Sequence, residues 1–83
     1  MYKIEIISAA RKDLDSLENK IFLQIKEKIL LIADNPRQPG SLKLTGEEGY
    51  RLRSGNYRIL YRIDDKNRMI YIYRIKHRKE VYR

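Results

Sequence analysis

Four arginines, Arg51, Arg53, Arg58 and Arg62, punctuate the stretch YRLRSGNYRILYR, with tyrosine and aliphatic residues between them. A guanidinium keeps its charge at any working pH and presents a planar fork of N–H donors that fits a phosphate. Lys76, Arg78 and Lys79 add three cations downstream, and Lys43 adds one upstream. Such a set can hold a polyanion and can stabilise charge growing on phosphoryl oxygens. Two residues beside it could move a proton: His77, the sole histidine, and Tyr82. One histidine excludes a two-histidine acid–base pair, and the absence of cysteine excludes a thiol nucleophile. GSLKLTG lacks the Gly-Lys-Ser/Thr ending of a phosphate-binding loop. Asp64-Asp65 falls in a turn, where acidic residues are expected without a metal. No metal and no cofactor is expected.

One or two arginines on an antiparallel sheet read as a solvated face. Four, joined by the C-terminal cations, argue for an anionic partner, and the charge distribution agrees. Residues 51–83 hold eleven Lys/Arg against three Asp/Glu, whereas residues 1–50 hold eight of each. The whole formal net charge of +8 therefore lies in residues 51–83, with six of the seven tyrosines between Tyr50 and Tyr82. A basic surface interleaved with aromatics is the footprint of a nucleic-acid-binding face.

The elements that must position these residues follow from periodicity. Eighty-three residues make one domain, 1–83, without disulfides. No apolar run approaches the ~20 residues of a membrane span, so a soluble cytoplasmic protein is expected. Tyr2–Ile7 alternates as a half-buried strand, and Ser8 is placed to cap a helix carrying Ala10, Leu14 and Leu17 on one stripe. A second helix, from about Lys20 to Asp34, presents Ile21, Ile25, Ile29 and Ile32, with Phe22 and Leu30 widening the stripe. Asn35-Pro36 ends it. After a connection rich in Gly and Pro, with a short extended piece at Leu42–Leu44, three strands follow: Tyr50–Arg53, Tyr57–Asp64 and Met69–Lys76. Ser54-Gly55-Asn56 and Asp65-Lys66-Asn67 are the turns. The expected fold is α+β: an N-terminal strand, a helical hairpin, then a three-stranded antiparallel meander, in one mostly antiparallel sheet with the helices on one face. The Tyr57/Ile59/Tyr61/Ile63 face of the central strand would meet the helices. Arg51, Arg53, Arg58 and Arg62 would then share the open face. In the third strand, alternation groups Met69, Tyr71, Tyr73 and Ile75 against Ile70, Ile72, Arg74 and Lys76.

With that order in place, LKLTGEEGYRLRSGNYRILYRI followed by KHRKEVYR, together with the NPR that ends the second helix, resembles the RelE/ParE superfamily of toxin–antitoxin toxins. The resemblance spans essentially the whole chain and favours the RelE branch. It implies a bacterial or archaeal ribonuclease that cleaves mRNA in the ribosomal A site and is held in check by an acidic, RelB-like antitoxin. A ParE-like gyrase inhibitor acting by protein binding, or a non-catalytic RNA-binding module, are the other readings. Carried over by position, Arg53, Arg58, Arg78 and Tyr82 are catalytic candidates, with His77 as an alternative to Tyr82. Lys43, Arg51, Arg62, Lys76 and Lys79 are RNA contacts.

The sequence departs from the RelE pattern in three ways. Arginines stand at 51 and 53 where lysines are usual, so neither can act as a base. The segment from Arg78 to Tyr82 is shorter than in the RelE pattern. The chain also stops after Arg83, where some relatives continue into a helix. The expected chemistry is attack of a 2′-hydroxyl on the adjacent phosphate, with Arg53 and Arg58 on the phosphorane oxygens. Tyr82 or His77 takes the proton, and Arg78 or Lys76 assists the leaving 5′-oxygen. A tyrosine starts near pKa ~10, and a cluster of arginines favours its anion.

Overall fold

The computed structural model describes residues 1–46 and 48–81. Strand β1 (Lys3–Ile6) leads into helix α1 (Ser8–Asp15) and helix α2 (Asn19–Asp34). Then come β2 (Leu42–Lys43), β3 (Tyr50–Ser54), β4 (Tyr57–Asp64), β5 (Met69–His77) and a single helical turn, α3 (Arg78–Val81). The sheet order is β1-β5-β4-β3-β2, with β1 parallel to β5 and every other pair antiparallel.

Ser8 opens α1 but does not cap it. The Ile7 N–H is bound to the Ile72 carbonyl at 2.9 Å, which prolongs the strand by one residue. Extended Ile7 (φ −69°, ψ 152°) is therefore the residue before the helix, and its carbonyl accepts the first helical bond from Arg11. Helix α2 buries Ile25, Ile29, Ile32 and Ala33, the spacing of one helical face. Leu30 lies outside that stripe and is exposed, because it is one residue, about 100° of helix, from buried Ile29. Asn35, at φ −144° and ψ 102°, ends the helix in the extended conformation that a following proline demands.

The core lies between α1, α2 and one sheet face formed by Leu52, Ile59, Tyr61, Ile70, Ile72 and Ile75. Fully burying an isoleucine contributes about 1.5–3 kcal/mol, and five are at zero exposure: Ile25, Ile32, Ile59, Ile70 and Ile72. Tyr61 is also fully buried, and its hydroxyl donates to the Pro36 carbonyl at 2.5 Å. Burial raises its pKa, which keeps the phenol protonated as a donor.

The β4–β5 register corrects the alternation expected for the third strand. Leu60 pairs with Arg74, yet its neighbour Tyr61 pairs with Ile72, so Tyr73 is an extra residue. A bulge of this kind advances the face pattern by one. Ile75 therefore joins Ile70 and Ile72 in the core rather than standing opposite them. Beside the bulge, β1 no longer covers the β5 edge. Asp13 of α1 accepts the Ile75 N–H there at 2.8 Å and binds Arg74 Nε at 2.9 Å, so the edge donor is satisfied by a helix side chain.

Candidate functional site

Cross-strand partners in a sheet point their side chains to the same face. Arg53 is paired with Arg58, and Arg58 with Lys76, so three cations form one row across β3, β4 and β5. Arg51, two residues before Arg53, shares that face, and its partner on β2 is Leu42. This is the face opposite the core. Gly55, at φ 59°, closes the β3–β4 hairpin tightly and so fixes the register that opposes Arg53 to Arg58. Arg51, Arg53 and Arg58 line a concavity of about 290 Å³ together with Leu42 and Gly40. No carboxylate appears in that lining among the described residues.

Arg58 is held at 3% exposure, against exposed Arg53 and half-buried Arg51. A buried guanidinium has few rotamers left, and its field is less screened by water than that of a surface cation. The concavity can seat one phosphoryl group against Arg51, Arg53 and Arg58.

Not every candidate joins this row. Arg62 shares the face but lies four residues along β4 from Arg58, about 13 Å. It lines a different depression with Glu48, Asp64, Asp65 and Tyr71. Lys43 pairs with Tyr50, whose own partner is core Tyr61, so Lys43 lies on the opposite face. His77 pairs with Tyr57 and follows Lys76, which places it on the face away from Arg58. Its ring meets Tyr57 edge-on with centroids 5.1 Å apart, and its Nδ1 accepts the Lys79 N–H at 3.2 Å. Arg78 and Lys79 are exposed at the start of α3. The Arg78 N–H binds the Asn56 carbonyl at 2.7 Å, so α3 is pinned to the hairpin end of the sheet, where Arg53 and Arg58 stand. Tyr82 lies outside the described residues. Leu42 and Gly40, which line the concavity, were not singled out from the sequence. Placing Leu42 beside Arg51 takes the β2–β3 register, which no local pattern supplies.

Residues 4–82 match the family of ParE toxins of type II toxin–antitoxin systems, parDE. The chain is a toxin of the RelE/ParE superfamily. This toxin is 33% identical over 88 residues to Toxin RelG of Mycobacterium tuberculosis, covering 99% of its own length and 97% of that protein. The toxin's fold superposes on a chain of the RelBE2 toxin–antitoxin complex of M. tuberculosis with a TM-score of 0.83 and 30% identity, covering 92% and 96% of the two chains. It superposes on the isolated E. coli RelE toxin with a TM-score of 0.80 and 28% identity, covering 99% and 92%. The α+β architecture of the toxin, with its two helices on one face of a five-stranded mixed sheet, is the architecture of these relatives.

Proposed function

We propose that the toxin is a metal-independent endoribonuclease that cleaves mRNA in the ribosomal A site. The observation that carries the reading is the row Arg53–Arg58–Lys76, with Arg58 buried, beside a concavity that Arg51, Arg53 and Arg58 line with no carboxylate among the described residues. A buried cation such as Arg58 is suited to charge that appears only in a transition state. The 2′-oxygen of a nucleotide forms a bond to the adjacent phosphorus while the bond from phosphorus to the 5′-oxygen breaks. Arg58 and Arg53 stabilise the phosphorane oxygens. The 2′-hydroxyl proton goes to a base, for which Tyr82 is the candidate, and Lys76, with Arg78 assisting, supplies a proton to the departing 5′-oxygen. The products are a 2′,3′-cyclic phosphate and a free 5′-hydroxyl.

In this reading the cognate partner is an acidic antitoxin segment that covers the arginines. The net charge of +8 supports it, as do relatives solved as toxin–antitoxin complexes, RelBE2 of M. tuberculosis and RelBE of E. coli. One observation favours a second reading. The matching family is described by ParE, so inhibition of gyrase through protein contacts is the alternative.

Primer extension on a defined mRNA in a reconstituted translation reaction, with and without ribosomes, separates the two. Cuts within codons that require ribosomes and leave cyclic phosphate ends support the nuclease. Intact mRNA together with trapped gyrase–DNA cleavage complexes supports the alternative.

A further inference from the structure

His77 is the residue immediately before α3, and Lys79 is the second residue of that helical turn. An imidazole Nδ1 that accepts the Lys79 N–H at 3.2 Å does what Asn, Asp or Ser does at a helix N-cap: it satisfies a first-turn donor that has no intrahelical partner. The ring is steadied from its other side by the perpendicular Tyr57 ring at 5.1 Å, and Tyr57 itself packs against the core. The turn that follows is bonded through the Arg78 N–H to Asn56, in the hairpin that carries Arg53 and Arg58. A four-residue helix is too short to hold itself together. Its position relative to the arginine row depends on these two bonds.

We infer that His77 is a positioning residue, whose imidazole caps α3 and thereby holds that turn, with Arg78, at the hairpin end of the sheet that carries the arginine row. The inference rests on the nuclease reading for its effect on cleavage, but the cap itself does not. The ring contacts Tyr57 of β4 and the Lys79 amide of α3, with Lys76 preceding it on β5 and directed to the other face. Only a ring with no proton on Nδ1 can accept from Lys79. His77 therefore serves by holding α3 and takes no proton from the RNA.

The test compares wild type, H77A and H77N in two measurements. One is hydrogen exchange of the Lys79 amide by NMR on the free toxin. The other is the cleavage rate in the translation reaction. The expected result is that H77A loses Lys79 protection and slows cleavage roughly tenfold, the scale of a lost cap. In H77N the amide oxygen accepts in place of Nδ1, so protection returns and the rate recovers to within about threefold. If H77N is as slow as H77A while Lys79 stays protected, His77 handles the proton and the inference is overturned. Unchanged Lys79 protection in H77A also overturns it. Should even wild type leave RNA uncut, the nuclease reading falls, and Lys79 exchange still decides whether His77 is a cap.

Discussion

The two ends of the sheet are joined by β4 but differ in what surrounds their cations. At the far end, Arg37 is ion-paired to Asp65 at 2.9 Å, and Arg62 shares its depression with Glu48, Asp64 and Asp65. Tyr2 also donates to Asp65, and Arg37 and Tyr2 together hold that carboxyl below its ordinary range. At the hairpin end, Arg51, Arg53 and Arg58 line a concavity with Leu42 and Gly40. Among the described residues, the carboxylates that stand beside Arg62 have no counterpart in that lining. In the nuclease reading, the ion-paired Arg37 serves the structure and the cations of the concavity serve the substrate.

Arg58→Ala against Arg62→Ala is the sharpest way to break this contrast. R58A should lower cleavage by more than about tenfold, the scale of removing one donor to a transition-state oxyanion. R62A should cost far less, and comparable losses would erase the distinction between the two ends. Arg53→Ala should act next most strongly. Besides slowing cleavage, it should reduce the slope of log affinity for single-stranded RNA against log salt by about 0.7, since one phosphate contact is lost. A filter-binding series at several salt concentrations reads that slope.

Asp13→Ala should leave the arginine row in place and lower stability instead, by about 1.5–3 kcal/mol, the worth of hydrogen bonds to a charged group. Urea unfolding measures it. Burial works against the Asp13 carboxylate, but the Arg74 guanidinium and the Ile75 N–H outweigh burial and hold its pKa below the ordinary value. Its contribution is present above the unfolded value near ~4 and is lost as pH falls through the lower folded one, so the D13A deficit should shrink in that acid window. Lys43→Ala should have the smallest effect of all on cleavage, because Lys43 lies on the face away from the concavity.

Much of this was legible in the sequence because strand parity is a local property. The β4 limits, Tyr57–Asp64, and the common face of Arg51, Arg53 and Arg58 follow from alternation and the turn read at Ser54-Gly55-Asn56, of which Ser54 proves to be the last residue of β3. What alternation cannot show is an interruption of itself. Tyr73 and Arg74 are both large and amphipathic, so the inserted residue leaves no gap in the apolar pattern, and only the pairing with β4 shows that Ile75 has changed face. Lys43 and Leu42 were unreadable for a related reason. A two-residue strand has no period, and its sidedness comes entirely from Tyr50 and Arg51 across the ladder. His77 looked chemical because histidine often is. Its place beside Tyr57, one residue beyond Lys76, took the register to see.

The parallel pairing of β1 with β5 has a consequence for how the toxin comes into being. Lys3 is matched with Met69 and Ile6 with Ile72, so the first strand to be synthesised waits for the fifth. Until that segment has been translated, β1 has no neighbour in the sheet, β4 lacks one of its two, and Lys76 is absent from the cationic row. Contacts between residues so distant in sequence are among the slowest a small domain makes. A nascent chain still being extended therefore carries its arginines without the fold that sets them in one row with Lys76.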